Sequence, residues 1–428
     1  MPRHPSSGGV ISSARRAGAP PGLWGIDGGS GHPLWMSCRS EGGGTVSVGK
    51  VTPSHEAQAD DSAVRVLAAD GTFAPSPAAE RYLPLIDALT DADLETFYRD
   101  MVTVRAFDRQ ATNLQRQGQL ALWPPSFGQE AAQVGSVRAA RAHDHVFPSY
   151  REHVVATVRG VDPVAIIRLM RGLTHGGWNP ADHQNTHLYT LVLGAHTLHA
   201  TGLGMGLVFD GRCGTGDAER DEAVIVYYGD GASSQGDVHE AMVFAASYRT
   251  PQVFFLQNNQ WAISVPVETQ SRAPLFQRAA GYGMPSARVD GNDVLASWAV
   301  TKLALDEARG GDGPRAIEAM TYRMGAHTTS DDPTKYRTSA EEESWARRDP
   351  IARMRAYLEG RGAAASFFAD VDAEAAAYAD DVRVRTNELG DIPVDLMFDH
   401  VYSEPHPLVA EQKQWLADYE ASFEEGTA

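Results

Sequence analysis

The clearest pattern of apolar and polar residues lies between residues 223 and 264. Ala223–Tyr228 is a run of apolar, β-branched and aromatic residues, which predicts a strand buried in a parallel sheet. Gly229-Asp230-Gly231 predicts a turn that glycines make at low cost, and Ser233–Arg249 has the apolar spacing of a helix. The predicted apolar face of that helix contains Ala241, Phe244, Ala245 and Tyr248. Val253–Leu256 predicts a second buried strand, so the stretch forms a β-α-β unit.

Weaker patterns on both sides extend the alternation of helices and strands. Thr90 precedes a long amphipathic helix over Leu94–Gln117. Its predicted buried stripe is Leu94, Phe97, Met101, Val104, Phe107, Ala111 and Leu114. Further predicted elements are helices at Glu130–Arg141, Pro163–Arg171 and Leu303–Arg309, and strands at Ala287–Val289 and Ala316–Tyr322. The alternation predicts an α/β fold with a doubly wound parallel sheet that begins near residue 223.

Composition and charge exclude several functional classes. The 428 residues are 43% hydrophobic, which supports a sizeable core, and the net charge of −18 opposes non-specific binding to nucleic acid. No apolar run reaches the ~20 residues that a membrane helix needs. The two cysteines, Cys38 and Cys213, have no disulfide-framework or metal spacing. We therefore expect a protein of a reducing compartment, without nucleic-acid or membrane partners.

The chain divides by composition into three parts. Residues 1–75 are predicted to be a disordered extension, since Gly, Ser and Pro dominate the first fifty. Three early arginines resemble a mitochondrial transit peptide, but the glycine and proline content favours a bacterial extension or a true start at Met36. We expect residues 76–390 to be the α/β domain and 391–428 a C-terminal tail. The predicted location is the bacterial cytoplasm, with the mitochondrial matrix as the alternative.

Polar residues follow both strands of the β-α-β unit at their carboxyl ends. Asp230 supplies a carboxylate and Asn259 an amide oxygen, one crossover apart (259 − 230 = 29). The backbone carbonyl of Trp261 can add a third oxygen. Mg²⁺ takes such oxygens together with phosphate oxygens, and ligands of parallel sheets bind at this edge. The alternative is an ordinary glycine turn with an unrelated Asn pair.

These residues resemble the thiamine diphosphate motif, in which GDG precedes NN by about thirty residues. The wider chain, from about Tyr82 to Tyr419, resembles the α subunit of the decarboxylating component of 2-oxo acid dehydrogenases. The matching segments are Val289–Asp293, Glu318–Arg323 and Ser330–Asp332. The resemblance implies a thiamine diphosphate-binding fold that holds thiamine diphosphate and Mg²⁺. It assigns cofactor contacts to Gly229, Asp230, Gly231, Ala232 and Asn259, and metal ligation to Asp230, Asn259 and Trp261.

The resemblance adds candidates elsewhere. Tyr150 and Arg151 match residues that bind the cofactor diphosphate, although a lone Tyr-Arg pair is usually a solvated helix start. Leu193 and Gly194 match a segment whose backbone contacts the aminopyrimidine, with a plain buried loop as the alternative. His327 matches the family's catalytic histidine and also serves in cofactor binding, whereas an isolated loop histidine is usually inert. Thr328 occupies the place of a regulatory phosphoserine in animal members, and we interpret it as a loop residue.

Some positions depart from the family pattern. Gln257 stands where branched-chain members have Arg, which removes one positive charge near the diphosphate. Trp261 replaces a Tyr, a mild change if only its carbonyl binds metal. The side chains of Gly194–His196 do not match the potassium site of some members, so we predict no such site.

The family also implies partners. Its activating glutamate sits in a second domain, and about 90 residues after position 340 are too few for one. We therefore expect a β subunit in an α₂β₂ assembly, with a lipoyl-bearing acyltransferase core as acyl acceptor. The tail supports docking on the β subunit through Phe398–Tyr402, with packing on its own core as the alternative. A stand-alone transketolase-like enzyme and a degenerate structural subunit are the competing interpretations.

Similarity rather than chemistry decides the predicted substrate. Glu318–Arg323, Ser330–Asp332, Tyr336-Arg337 and Leu396–Tyr402 are more similar to branched-chain α subunits than to pyruvate enzymes. We therefore predict oxidative decarboxylation of a branched-chain 2-oxo acid such as 2-oxoisovalerate, with pyruvate or acetoin as alternatives.

Overall fold

The computed structural model describes residues 62–424, apart from residues 175 and 394. The predicted disorder of residues 1–61, the alternative start at Met36 and Cys38 lie outside the described residues.

A five-stranded sheet forms the centre of the domain. Its strands are β1 (His145–Phe147), β2 (Val224–Gly229), β3 (Gln252–Asn258), β6 (Ser286–Asp290) and β7 (Arg315–Met320). The order across the sheet is β1-β2-β3-β7-β6, and all neighbouring pairs are parallel. Two short antiparallel strands, β4 (Trp261–Ala262) and β5 (Val265–Pro266), form a hairpin just after β3.

Fourteen α-helices are described within residues 62–424, together with shorter 3₁₀ and π segments. The first seven are α1 (Leu83–Asp87), α2 (Asp91–Arg116), α3 (Glu130–Ala139), α4 (His153–Val158), α5 (Pro163–Arg171), α6 (Ala195–Phe209) and α7 (Gly236–Tyr248). The others are α8 (Val267–Gln270), α9 (Val294–Glu307), α10 (Ser339–Ala346), α11 (Pro350–Gly360), α12 (Ala365–Asn387), α13 (Leu396–Asp399) and α14 (Pro407–Glu424).

Helices cover both faces of the sheet. Because strand side chains alternate in direction, Ile225 and Tyr227 of β2 join one buried cluster with residues of α2, α3 and α9. Val224 and Val226 join the other cluster, with residues of α6 and α7. The predicted doubly wound parallel sheet is therefore confirmed, and the interior strand β2 is apolar up to its final glycine because helices cover both of its faces.

Helix α2 begins as its sequence predicts. Thr90 and Asp93 form a capping box, in which each side chain accepts from the other's backbone N–H. All seven residues of the predicted stripe are buried, and α2 packs along α12. In α7 the prediction is only half right. Ala241 and Ala245 are buried, but Phe244 and Tyr248 are exposed, because the buried face turns toward Val238 and Met242.

Two boundaries differ from prediction. The sheet begins at β1 rather than near residue 223, because a three-residue strand has no detectable apolar period. Residues 62–75 fall in the predicted extension, yet Val64 bridges Val289 of β6, and Val66 and Leu67 are fully buried. The ordered part of the chain therefore begins no later than residue 62, and the predicted boundary at 75 is too late.

The end of the described chain exposes large apolar side chains. Met397, Val401, Tyr402, Leu408, Trp415, Tyr419 and Phe423 are each about half exposed or more. Docking of the tail on a partner stays a prediction. Within residues 62–174, 176–393 and 395–424, no helix is long and apolar enough to cross a membrane.

Candidate active site

The carboxyl ends of four parallel strands meet at one edge of the sheet. Tyr150 and Arg151 follow β1, the Gly229-Asp230-Gly231 turn closes β2, Asn259 follows β3, and His327 lies in the loop after β7. The parallel registers place these ends side by side. The fold therefore gathers predicted residues that are up to 177 positions apart in sequence (327 − 150 = 177).

Asp230 is a buried carboxylate without a cationic partner at ion-pair distance in the described chain. Gln270 Nε2 donates to its Oδ2 at 3.2 Å. Burial raises the pKa of Asp230 to about 6, although the hydrogen bond from Gln270, the charge of Arg323 and the backbone N–H of Asn259 oppose that shift. A buried carboxylate of this kind is stabilised in its ionised form by a cation.

Asn259 and Trp261, which follow β3, carry the other two predicted metal-binding oxygens. The side chain of Asn259 is buried; its Oδ1 accepts from the Trp261 N–H at 3.2 Å, and its Nδ2 donates to Gln129 Oε1 at 3.4 Å. The Trp261 carbonyl accepts from Arg323 Nη1 at 3.0 Å. The predicted metal-binding carbonyl is therefore already engaged by a guanidinium, which leaves its second lone pair for a further partner.

Arg151 and Arg323 bring two positive charges into the same buried space. The two side chains are 5% and 1% exposed. Neither has a carboxylate at ion-pair distance among the described residues; their partners are backbone carbonyls, a histidine and a tyrosine. Burial lowers the pKa of Arg323, and Arg151 lowers it further. Asp230 acts on Arg323 only from beyond ion-pair distance, and two buried guanidiniums in such a setting suit an anion.

His327 lies between these guanidiniums. Its Nδ1 is 3.2 Å from Arg151 Nη2 and 3.4 Å from Arg323 Nη1. Because both neighbours are donors, Nδ1 is assigned as the acceptor and Nε2 carries the proton. Burial, followed by Arg151 and Arg323, lowers the pKa of His327 to about 3. In this arrangement the imidazole is neutral at pH 7 and offers one N–H donor.

Close contacts at two glycines shape the site. A Cβ on Gly231 would come within 2.8 Å of the Ala262 Cβ, so the turn after β2 packs directly on the β4–β5 hairpin. Gly231 has an ordinary φ of −61°. The glycine is therefore required by this contact, and the predicted reason, a turn that only glycines make cheaply, is wrong.

Gly194 immediately precedes α6 and packs against α7. A Cβ there would be 3.0 Å from Val238 of α7, and the residue starts α6 with a φ of +84°. Leu193 precedes it and is 40% exposed, whereas Ala232 is buried at the start of the 3₁₀ turn after Gly231. The alternative interpretation of residues 191–194 as a buried loop is wrong, because Leu191 and Val192 are about two-thirds exposed.

The donor set fits a metal-bound diphosphate. It combines a carboxylate, an amide oxygen and a carbonyl, as Mg²⁺ prefers, with two guanidiniums that match phosphate. Two buried nitrogens, Gln129 Nε2 and Arg323 Nε, have no partner among the described residues.

Comparison with protein families matches residues 98–383, more than half of the chain, to the family described as "Dehydrogenase E1 component". The chain belongs to this family.

Individual relatives agree with the family. The chain is 43% identical, over 82% of its length and 93% of theirs, to the 3-methyl-2-oxobutanoate dehydrogenase subunit alpha of Mycobacterium tuberculosis strains CDC 1551 and H37Rv. It is also 39% identical, over 65% of its length and 73% of the relative's, to the pyruvate dehydrogenase E1 component subunit alpha of Staphylococcus aureus strain Mu50. The predicted resemblance is confirmed.

Sequence reasoning missed several residues of this dehydrogenase site. The sequence indicates Arg323 only as the last residue of the matching segment Glu318–Arg323, and it gives no reason to select Gln129 or Gln270. The position of Arg323, three residues beyond the end of β7, is the one signal in the sequence that could have identified it. The contacts of Gln129 and Gln270 depend on long-range packing and had no such signal.

Gln257 makes its contacts with residues next to Arg151. It is buried at the end of β3, where its Nε2 donates to Glu152 Oε1 at 2.6 Å and its Oε1 accepts from Gln133 at 3.1 Å. Burial raises the pKa of Glu152. In this dehydrogenase the amide therefore satisfies a buried carboxyl group, a position where a neutral donor suffices.

Proposed function

We propose that this chain is the α subunit of a 2-oxo acid dehydrogenase that acts on branched-chain 2-oxo acids such as 3-methyl-2-oxobutanoate. The observation that carries the proposal is the set of buried charges at the sheet edge that have no partner at ion-pair distance among the described residues. A bound cation would stabilise the ionised Asp230 carboxylate, and a bound anion would stabilise the guanidiniums of Arg151 and Arg323. A magnesium-bound diphosphate has both charges, and the 43% identical relatives support the substrate.

The cofactor of this proposal is thiamine diphosphate with Mg²⁺. Asp230, Asn259 and the Trp261 carbonyl hold the metal, and Tyr150 and Arg151 hold the diphosphate. The backbone around Leu193 and Gly194 contacts the aminopyrimidine, and Gly229, Gly231 and Ala232 line the turn beneath the diphosphate. When bound, thiamine diphosphate supplies a carbanion that adds to the 2-oxo carbon and an electron sink for decarboxylation.

His327 acts as a neutral hydrogen-bond donor in this proposal. Its Nδ1 faces two guanidiniums, so Nε2–H is the atom available to the substrate or the lipoyl group. A bound diphosphate would offset the field of Arg151 and Arg323 and raise the pKa of His327 toward its ordinary range. His327 could then also donate a proton at neutral pH.

The proposal includes two protein partners. A β subunit completes the site in an α₂β₂ assembly, and a lipoyl-bearing acyltransferase core accepts the acyl group. Exposed apolar side chains of the tail, among them Trp415 at 65% exposure, support a protein contact there. The bacterial relatives support a cytoplasmic location.

The substrate test compares 3-methyl-2-oxobutanoate, 4-methyl-2-oxopentanoate and pyruvate. The chain is assembled with its β subunit, and kcat/KM is measured with an artificial electron acceptor. We expect the branched substrates to be preferred. A tenfold preference for pyruvate, about 1.4 kcal/mol in transition-state binding, would favour the pyruvate alternative that the 39% identical relative supports. A preference for acetoin would favour the third alternative.

A second assay separates the enzyme interpretations. The isolated chain is expected to lack decarboxylase activity until the β subunit is added. Robust activity of the chain alone would support a stand-alone enzyme. Absence of magnesium-dependent cofactor binding in the assembled complex would support a degenerate structural subunit.

A further inference from the structure

A loop between α2 and α3, residues 121–128, lies beside Arg151 and the loop that carries His327. Its carbonyl groups contact both. Pro125 O accepts from Arg151 Nη1 at 2.5 Å, and Phe127 O accepts from the Met324 N–H at 3.0 Å. Trp123 O accepts from the Thr329 N–H, also at 3.0 Å. The 121–128 loop therefore holds both the Arg151 side chain and the loop that carries His327 in position.

The same loop is fixed from beneath by one side chain. Asp108 is fully buried on α2, and its Oδ1 accepts from Trp123 Nε1 at 2.5 Å. Its Oδ2 accepts from the Ser126 N–H at 2.7 Å and the Ser126 hydroxyl at 3.1 Å. One carboxyl group thus fixes residues on both sides of the Pro124-Pro125 pair, and within the described part of the chain none of its hydrogen bonds comes from a cation.

Packing adds to this restraint. The Trp123 ring stacks on His153 at 4.1 Å and meets Phe107 edge-on at 5.4 Å. His153 Nε2 lies 3.0 Å from Pro124 O. Since proline has no N–H, the polar capacity of Pro124 and Pro125 is limited to their carbonyls, and those carbonyls contact His153 and Arg151.

We propose that Asp108 is a positioning residue for the cofactor site, which acts through Trp123 and Ser126 on the carbonyls that aim Arg151 and hold the His327 loop. It does not touch the reacting groups. The inference rests on the proposed function, because it takes Arg151 as part of the diphosphate site. It adds a residue on α2, a helix that the sequence interpretation treated as core.

Asp108→Asn is the main test, because it keeps the volume but replaces one acceptor oxygen with a donor that opposes the Trp123 or Ser126 N–H. The chain is assembled with its β subunit, and the Kd of thiamine diphosphate is measured by calorimetry with Mg²⁺, well below the unfolding temperature. We expect the Kd to rise about 10–100-fold, as for other residues that orient ligating groups.

The matched control is Asp144→Asn. Asp144 is equally buried but lies at the opposite edge of the sheet, where it accepts from Arg309 and from the Ala223 N–H. This control is expected to lower stability and leave the Kd within about twofold of wild type. An equal loss of affinity in both variants would contradict the positioning role.

Trp123→Phe tests the route of the effect. It keeps an aromatic ring against His153 but removes the Nε1–H, and the Kd is expected to rise several-fold. The double variant should bind no more weakly than Asp108→Asn alone, since both changes break one chain of contacts. If Asp108→Asn does not fold, an unchanged Kd in Trp123→Phe overturns the inference. Failure of wild type to bind would overturn the proposed function instead.

Discussion

The two edges of the sheet treat buried charge in opposite ways. At the amino edge, Asp144 precedes β1 and pairs with Arg309, whose Nε and Nη2 donate at 2.9 and 2.5 Å. Both side chains are buried. At the carboxyl edge, Asp230, Arg151 and Arg323 are also buried, but among the described residues none has an oppositely charged partner at ion-pair distance. One edge is complete within the chain, whereas the other is not.

This difference indicates at which edge of the sheet a charged ligand can gain binding free energy. A buried charge costs several kcal/mol unless it is paired and hydrogen-bonded. At the amino edge the pair offsets that cost within the fold. At the carboxyl edge neutral dipoles hold the charges in place, so a ligand that supplies Mg²⁺ and a diphosphate gains the missing charge pairing on binding.

Removal of a partner at the complete edge is expected to give the largest effect. Asp144→Ala leaves Arg309 buried without its main counter-charge and should destabilise the chain by about 3–5 kcal/mol. Urea unfolding at pH 7 measures the change, with the exposed Asp217→Ala as control. A loss below about 1 kcal/mol would mean that the two edges do not differ in this way.

At the carboxyl edge, removal of a buried charge is expected to stabilise the ligand-free fold at neutral pH, whereas at the amino edge it destabilises the fold. Folding raises the pKa of Asp230 from 3.8 to about 6, so its protonated form stabilises the fold below pH 4, and that stabilisation is lost as pH rises through 6. Relative to Asp230→Asn, the wild-type unfolding free energy should fall by about 2 kcal/mol between pH 4 and 7.

Urea unfolding of both proteins across this range, without metal, measures the difference. Added Mg²⁺ with thiamine diphosphate should recover it for wild type only. If the difference in unfolding free energy between wild type and Asp230→Asn does not change with pH, the ionised Asp230 carboxylate does not destabilise the fold.

Packing of the turn gives a smaller effect. In Gly231→Ala the new Cβ would meet Ala262 at 2.8 Å, so the β4–β5 hairpin must shift at a cost of about 1–3 kcal/mol. Gly236→Ala is the matched control, because no atom outside its own helix lies within 4 Å of its added Cβ. Thermal unfolding measures both variants. Equal stability of the two variants would mean that the β4–β5 hairpin can shift without loss of unfolding free energy.

The smallest expected effect is a change in the titration of His327. Burial and Arg151 lower its pKa to about 3, so the imidazole should stay neutral between pH 5 and 8 in the ligand-free chain. Arg151→Gln removes the nearest charge and should raise the pKa of His327. Magnetic resonance of the imidazole measures both. Titration of wild type near pH 6.5 would be inconsistent with the arginine pair described at this edge.

Much of the fold could be predicted from local pattern. The strands β2, β3, β6 and β7 and the stripe of α2 follow from apolar periodicity, which depends on neighbouring residues alone. Strand β1 has three residues and no measurable period. Residues 62–67 were missed because their burial comes from pairing with β6, more than two hundred positions away.

The site could be predicted only in part. A parallel sheet brings strand ends to one edge, so the proximity of Asp230 and Asn259 followed from spacing. The role of Arg323 did not, because its contacts with the Trp261 and Ile263 carbonyls join the end of β7 to a hairpin after β3. Likewise, nothing in the residues around Gly231 indicates that Ala262 packs against it.

Calorimetry of thiamine diphosphate binding tests the central claim, that the buried charges at the carboxyl edge of the sheet bind a metal-bound diphosphate. The chain is assembled with its β subunit and titrated with and without Mg²⁺, as wild type, Asp230→Asn and Asp144→Asn. We predict magnesium-dependent binding by wild type and Asp144→Asn, and a loss of at least about 100-fold, or 2.7 kcal/mol, in Asp230→Asn. Binding that is independent of Mg²⁺, or unchanged in Asp230→Asn, would contradict the claim.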